Sequence, residues 1–90
     1  MNFEWDRSKA NANKRKHGVS FNEAASVFFD PLAVSGSDPD HSVGEFRYIT
    51  FGYSTSGRLL TVVHTVRANS IRIISARRAT RAERKLYEEG

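Results

Sequence analysis

The spacing of apolar residues changes partway along the chain, and this change most constrains the fold. The first part carries helix start and stop signals, which predict helices over about residues 7–17 and 21–29. From residue 46 onward apolar and polar residues alternate instead, as they do in strands. Two short turns separate the alternating runs, so the strands are predicted to pair as antiparallel hairpins. The three runs cover residues 46–53, 58–67 and 71–77.

Local signals fix the ends of the two early helices. Asp6 can cap the first helix, and Gly18 can end it in a left-handed conformation. Ser20 and Glu23 can form a reciprocal capping box at the start of the second helix. The second helix is expected to contribute an apolar stripe to the core, formed by Phe21, Ala24, Ala25 and Phe28.

Three further elements complete the predicted order. Phe3 and Trp5 alternate with polar neighbours as a short first strand would, and residues 32–35 can add another strand. Thr80 and Glu83 form a second capping box, which starts a final helix ending near Glu88 or Glu89. The order β-α-α-β-β-β-β-α predicts an α+β fold with a twisted, mostly antiparallel sheet, two N-terminal helices packed on it and a short C-terminal helix. Ninety residues allow one domain, residues 1–90.

Several classes of protein are disfavoured by composition. The chain has no cysteine, which excludes disulfides and thiolate metal sites. It shows neither a signal-peptide pattern nor a long apolar run, so a soluble, cytoplasmic protein is expected. The three histidines are far apart and form no metal motif, and no glycine-rich phosphate loop or nucleophile elbow is present. No metal and no cofactor are therefore predicted.

The net charge of +4 is divided unevenly along the chain. Residues 1–45 carry five Lys and Arg against seven Asp and Glu, and residues 46–90 carry nine against three. Ten of the fourteen basic residues are arginines, whose planar fork suits two-point contact with phosphate. This favours a phosphate-bearing partner, and the alternative is an ordinary solvated basic surface.

The last strand and helix concentrate these arginines. Strict alternation places Arg77 and Arg78 on opposite faces, so one of them is expected to reach a given site while the strand persists. The free N–H groups at the start of the final helix could add an anion-binding element. Alternatively, the arginines pair with Glu83, Glu88 and Asp40 at the surface. Alternation predicts that Arg72, Ile74, Ala76 and Arg78 share one face and that Ile71, Ile73, Ser75 and Arg77 share the other.

Two histidines are candidates for chemistry. His64 lies in the middle of a predicted strand, and an imidazole suits proton transfer near neutral pH. A hydrogen-bonded core histidine is the alternative. His41 follows Asp38-Pro39-Asp40 in a loop, where it could contact a ligand or organise the turn.

The chain resembles the BrnT family of toxins through six segments in order. The N-terminal three are Phe3-Glu4-Trp5-Asp6 with Lys9-Ala10, Lys16-His17-Gly18-Val19-Ser20-Phe21 with Glu23-Ala24-Ala25, and Phe28 to Leu32. The others are Asp38-Pro39-Asp40-His41-Ser42, the run from Ile71 to Thr80, and Glu83-Arg84 with Tyr87-Glu88. The resemblance covers essentially the whole chain.

This resemblance implies the toxin of a type II toxin–antitoxin system, a metal-independent endoribonuclease of RelE-like fold that cuts RNA and inhibits translation. A BrnA-like antitoxin with a ribbon-helix-helix domain would neutralise it, in a two-plus-two complex that contacts operator DNA only through the antitoxin. A non-catalytic basic module that binds nucleic acid or a partner is the alternative. The catalytic residues carried over are His64, Arg72, Arg77 and Arg78, and the RNA-binding residues are His41, Arg47, Arg81, Arg84 and Tyr87.

Overall fold

The computed structural model describes residues 1–38 and 46–90 and has the predicted order of elements. The strands form one sheet in the order β1-β5-β4-β3-β2, in which β1 runs parallel to β5 and the other neighbours are antiparallel. The predicted α+β class is therefore confirmed. The elements are β1 (Asn2–Glu4), α1 (Arg7–His17), α2 (Phe21–Ser26) with a 3₁₀ turn (Val27–Phe29), β2 (Val34–Ser37), β3 (Tyr48–Tyr53), β4 (Leu59–Arg67), β5 (Ser70–Arg78) and α3 (Arg81–Glu89).

The predicted ends of α1 are confirmed. The Asp6 carboxylate accepts a hydrogen bond from the Lys9 amide at 3.0 Å, which satisfies one of the free N–H groups of the first turn. Gly18 has φ +70°, and its amide donates to the Lys14 carbonyl at 2.9 Å.

Half of the capping box predicted for α2 is wrong. The Ser20 hydroxyl accepts from the Glu23 amide at 3.0 Å, as expected. The Glu23 carboxylate, however, binds the Arg58 guanidinium and accepts from the Ser54 hydroxyl at 2.7 Å. A two-point contact with a charged guanidinium is stronger than a hydrogen bond with a neutral backbone N–H, so the Glu23 carboxylate binds Arg58 instead of the helix cap. At α3 both halves of the box form between Thr80 and Glu83.

One face of the sheet, here called the core face, packs against α1, α2 and the 3₁₀ turn. Phe21 is 2 % exposed, as predicted for a core aromatic, while Ala25 and Phe28 pack against the core from half-buried positions. Phe29 lies outside it and is 67 % exposed. The buried cluster consists of Val19, Phe21, Ala24, Val27, Leu60, Val62, Ile73 and Ala76.

A one-residue irregularity in β5 overturns the predicted division of its residues between faces. His64 pairs with Ile73 but Val63 pairs with Ser75, so Ile74 is an extra residue opposite the β4 strand. Beyond this bulge the alternation is shifted by one position. Directly paired residues share a face, so Ile73 and Ala76 both point to the core face, and Arg72 does not share a face with Arg78.

Asn13 closes the sheet edge where β1 ends. Its side-chain amide donates to the Ala76 carbonyl at 2.8 Å and to the Val19 carbonyl at 3.0 Å, and its oxygen accepts from the Ala76 amide at 3.2 Å. The side chain thus takes the place of a neighbouring strand along β5, and it fastens α1 to that strand. Among the helices of residues 1–38 and 46–90, none has the length and apolar character needed to cross a bilayer.

Candidate functional site

The sheet face opposite the core face carries α3 and is called the α3 face. Thr61 pairs with Arg77 across β4 and β5, and Thr65 pairs with Arg72. Both arginines therefore lie on the α3 face, with the half-buried Ser75 between them. Their partners are four residues apart on β4, so the two positions are about 13 Å apart along the sheet.

Arg77 is held in place by Glu83 of α3. Its Nη1 and Nη2 atoms donate to the two carboxylate oxygens at 2.7 and 2.8 Å. Glu83 also accepts from the Thr61 hydroxyl at 2.9 Å and from the Thr80 amide at 2.8 Å. The hydrogen bond from Arg77 lowers the pKa of Glu83 to about 2, against a smaller opposing effect of burial. The side chain of Arg77 is still 40 % exposed, so a ligand can reach a fixed guanidinium.

A second set of contacts fixes the other end of α3. The Tyr87 hydroxyl donates to Asp30 at 2.7 Å, and the same carboxylate oxygen accepts from the Tyr53 amide at 2.8 Å. The hydrogen bond to Asp30 raises the pKa of Tyr87 to about 12, so the phenol stays protonated at neutral pH. Arg84 donates to the Tyr53 hydroxyl at 2.9 Å, and the two tyrosine rings meet edge to face at 5.4 Å. α3 is therefore held by polar contacts at both ends, and none of its residues is fully buried.

The remaining predicted arginines are more dispersed. Arg78 pairs with Leu60, so it points away from Arg77, as the sequence predicted, and it is exposed. Arg81 is exposed on α3, and Arg47 is half-buried just before β3. Arg72 makes an ion pair with Glu4 at 3.7 Å, too long for a good hydrogen bond. The structure thus brings Arg72, Arg77, Arg84 and Tyr87 to one side of the sheet and leaves Arg78 on the other.

His64 lies on the core face and is 5 % exposed. Its Nε2 is 2.8 Å from the Thr50 hydroxyl oxygen, which is 2.7 Å from the Ser35 hydroxyl oxygen. The ring meets Phe28 edge to face at 4.8 Å and stacks on Tyr48 at 5.8 Å. Burial lowers the pKa of His64 to about 4, so the imidazole is neutral at neutral pH. These surroundings are those of a core histidine, and its Nδ1 has no hydrogen-bond partner among residues 1–38 and 46–90.

Sequence reasoning missed several residues of this arrangement. Glu83 was expected in a capping box and as one of three acidic partners for the arginines, but its contact with Thr61 was not foreseen. Asp30 was given no role in the sequence analysis, yet it holds Tyr87. For Glu83 the available signal was its position six residues after Arg77, whereas Asp30 is fifty-seven residues from Tyr87 and no local signal connects them. His41 lies in residues 39–45, outside the described part of the chain.

Within residues 1–38 and 46–90, no three His, Cys, Asp or Glu side chains are close enough to hold one metal ion together. The only histidines there, His17 and His64, lie on different parts of the fold, at the end of α1 and in β4.

Comparisons with known proteins agree with this fold. A family model described as the ribonuclease toxin BrnT of type II toxin–antitoxin systems matches residues 5–83. The fold is similar to the 1.1 Å crystal structure of the Brucella abortus ribonuclease toxin BrnT, with a TM-score of 0.64 and 21 % identity, over 90 % of this chain and 99 % of that one. No significant match was found among curated proteins. Because the family model spans most of the sequence, the chain belongs to the BrnT family of ribonuclease toxins of type II toxin–antitoxin systems.

Proposed function

We propose that the chain is an endoribonuclease that cleaves RNA without a metal ion and thereby inhibits translation, with the substrate bound across the α3 face. The observation that carries this proposal is the Arg77–Glu83 pair. It fixes an accessible guanidinium at the junction of β5 and α3, on the same face as Arg72. A cation that is already oriented stabilises developing negative charge without further reorganisation.

In the proposed reaction the ribose 2′-hydroxyl gives its proton to water and its oxygen attacks the adjacent phosphorus in line with the P–O5′ bond. That bond breaks, and the leaving 5′-oxygen takes a proton from water, which gives a 2′,3′-cyclic phosphate and a 5′-hydroxyl. Negative charge builds up on the phosphoryl oxygens, where Arg77 acts as the stabilising group. Glu83 is a positioning residue, since a carboxylate with a pKa of about 2 is a poor proton acceptor. Arg72 and Arg84 hold neighbouring phosphates, and Tyr53, 38 % exposed beside Tyr87, offers a surface for base stacking.

The role predicted for His64 as general base remains a prediction, and its position argues for a different role. The ring is buried on the core face, whereas Arg77 is on the α3 face. A general base must come within hydrogen-bond reach of the proton that it removes. We therefore propose that His64 supports the sheet. Arg81, exposed on α3, contributes to RNA binding rather than to the chemical step, and Arg78 lies on the opposite face from the proposed site.

The test is cleavage of a defined RNA in EDTA by purified variants. Arg77→Gln should lower the rate about 100-fold or more, the scale for losing one charge-stabilising donor, and Arg72→Gln should lower it less. Lys85→Gln, which removes an exposed charge from α3, is the matched control and should keep the rate within about twofold. Thermal unfolding of each variant separates lost chemistry from lost fold. Undiminished cleavage by a folded Arg77→Gln protein would refute the proposed site.

A non-catalytic RNA-binding module is the second candidate. It is favoured by one observation: neither of the two histidines in the described ranges lies on the α3 face. This candidate predicts RNA binding that weakens steeply with salt and yields no products. The variants of the cleavage assay decide between the two candidates. If the wild-type protein forms cleavage products and Arg77→Gln does not, the chain is a nuclease.

Toxins of this family pair with an antitoxin. For this chain we propose a BrnA-like antitoxin with a ribbon-helix-helix domain, in a two-plus-two complex in the cytoplasm that touches operator DNA only through the antitoxin. The basic surface of the toxin suits an acidic segment of such a partner. Light scattering of the co-expressed pair should give the mass of two toxins and two antitoxins, and of the 10.2 kDa toxin alone that of a monomer. A stable toxin homodimer would contradict the proposal.

A further inference from the structure

Helix α1 holds a concentration of charge that counting by half-chains conceals. All five basic residues of positions 1–45 lie within α1, and this helix has no acidic residue. The helix thus carries +5 in eleven residues, while the rest of the chain sums to −1, since the total is +4. The five are Arg7, Lys9, Lys14, Arg15 and Lys16, and all are exposed.

Four of the five cations lie in pairs on two flanks of the helix, and the fifth lies on its outward side. Arg7 and Lys14 line a groove of about 330 Å³ between α1 and the start of α2, together with Trp5. Lys9 and Lys16 line a second groove of about 230 Å³ between α1 and β5. Each pair is seven residues apart, or two helical turns, so its members are about 10.5 Å apart along one side. Arg15 lies between the flanks on the outward side of the helix.

We propose that α1 is a second RNA-binding surface, separate from the α3 face, that contacts the phosphate backbone of structured RNA. Two rows of cations at regular spacing on a rigid helix match a repeated charge better than a single ion. Asn11 and Asn22 in the first groove add hydrogen-bond donors for phosphate or ribose oxygens.

The occupant is RNA rather than a protein because of what the surface lacks. Protein interfaces need apolar anchors at their centre and are depleted in lysine. Helix α1 has only Ala12 as an exposed apolar side chain, against three lysines and two arginines, and the apolar residues Trp5 and Ile74 in the grooves beside it are half-buried. Basic residues in the last turn also complement the helix dipole, but this does not account for Arg7 and Lys9 in the first turn, where positive charge is unfavourable.

The test measures binding without cleavage, so it does not depend on whether the chain is a nuclease. A fluorescent RNA hairpin with 2′-O-methyl groups lacks the attacking hydroxyl, and its affinity is measured against salt concentration. Lys9→Gln with Lys16→Gln should lower the slope of log K against log salt by about 1.4 to 1.8, since each neutralised phosphate contributes about 0.7 to 0.9. Lys9→Arg with Lys16→Arg is the matched control, which keeps the charge and should keep the slope.

Three results would overturn the inference. One is an unchanged slope in the Gln pair. Another is an equal loss in the Arg pair, which would indicate a structural effect of the positions. The third is a Gln pair that retains hairpin binding but loses binding of an acidic peptide such as poly-glutamate, which would assign α1 to a protein partner. A short single-stranded substrate, too small to reach α1, should be cleaved at the wild-type rate by the Gln pair; this measurement tests the proposed nuclease separately.

Discussion

Acidification between pH 7.5 and 5 is expected to destabilise the protein through His64. The ring is buried on the core face, and burial lowers its pKa from 6.5 to about 4. The folded state therefore binds fewer protons than the unfolded state throughout this range. The contribution of neutral His64 to the free energy of unfolding is present above pH 6.5 and is lost as the pH falls toward 4, because the unfolded chain then binds the proton more tightly.

The size of the loss follows from these two pKa values. Each tenfold difference in proton affinity is worth about 1.36 kcal/mol, so the full effect is about 3 kcal/mol. Proton linkage gives about 1 kcal/mol at pH 6 and about 2 kcal/mol at pH 5. The half-buried carboxylates Glu23, Asp30 and Glu83 do not interfere in this window, because their pKa values are lowered and they titrate at lower pH.

Urea unfolding at pH 7.5, 6 and 5 measures the effect directly. His64→Gln removes the titrating group and keeps an amide near Thr50, so its free energy of unfolding should be lower at pH 7.5 but nearly constant down to pH 5. The control His17→Gln removes a half-buried imidazole at the end of α1 and should retain the wild-type loss. An equal pH dependence in wild type and His64→Gln would refute the reasoning, because the lost protons would then belong to another group.

Three further substitutions test other parts of the structure by urea or thermal unfolding. Glu83→Gln should cost about 1–2 kcal/mol at neutral pH, since its partner guanidinium is partly solvated; wild type should lose this advantage as the pH falls from 4.5 toward 2, and a constant difference would contradict the ion pair. Gly52→Ala should cost about 1–3 kcal/mol because the new Cβ would lie 2.8 Å from a buried valine methyl, whereas a Cβ at Gly36 would meet no atom of the described residues within 4 Å and Gly36→Ala should be nearly neutral. Asn13→Ala leaves three backbone groups unpaired and should cost about 2–4 kcal/mol, against less than about 0.5 kcal/mol for the exposed Asn11→Ala. Equal costs for the two glycine variants, or for the two asparagine variants, would contradict the corresponding prediction.

The elements themselves were predictable because their signals are local. Asp6, Gly18 and Thr80 act on backbone groups within four residues, and the structure has each cap where the sequence predicts it. The alternation of β4 is also a local pattern, and it correctly separates Leu60 from Thr61. Family membership was recognisable for a related reason, since short segments in a fixed order identify a family without any knowledge of contacts.

The candidate site was predictable only in part. The sequence indicated that the arginines of β5 and α3 matter and that Arg77 and Arg78 diverge, which the register confirms. It failed to place Arg72 with Arg77, because the bulge at Ile74 shifts the alternation and leaves no mark in the pattern of apolar residues. It also could not determine that His64 points to the core face.

What the sequence by itself determined is the order of elements, their caps, the class of fold and the family. Only the tertiary structure decided which charged groups pair, because those partners are brought together across long stretches of chain. At Glu23 only the backbone amide takes part in the cap, by donating to the Ser20 hydroxyl. Its carboxylate binds Arg58, thirty-five residues away. At Glu83 the local cap and the contact with Arg77 coexist, because strand and helix meet there. The physical reason is that a cap depends on neighbours within one turn, whereas the choice between a neutral amide and a guanidinium depends on how the whole sheet is assembled.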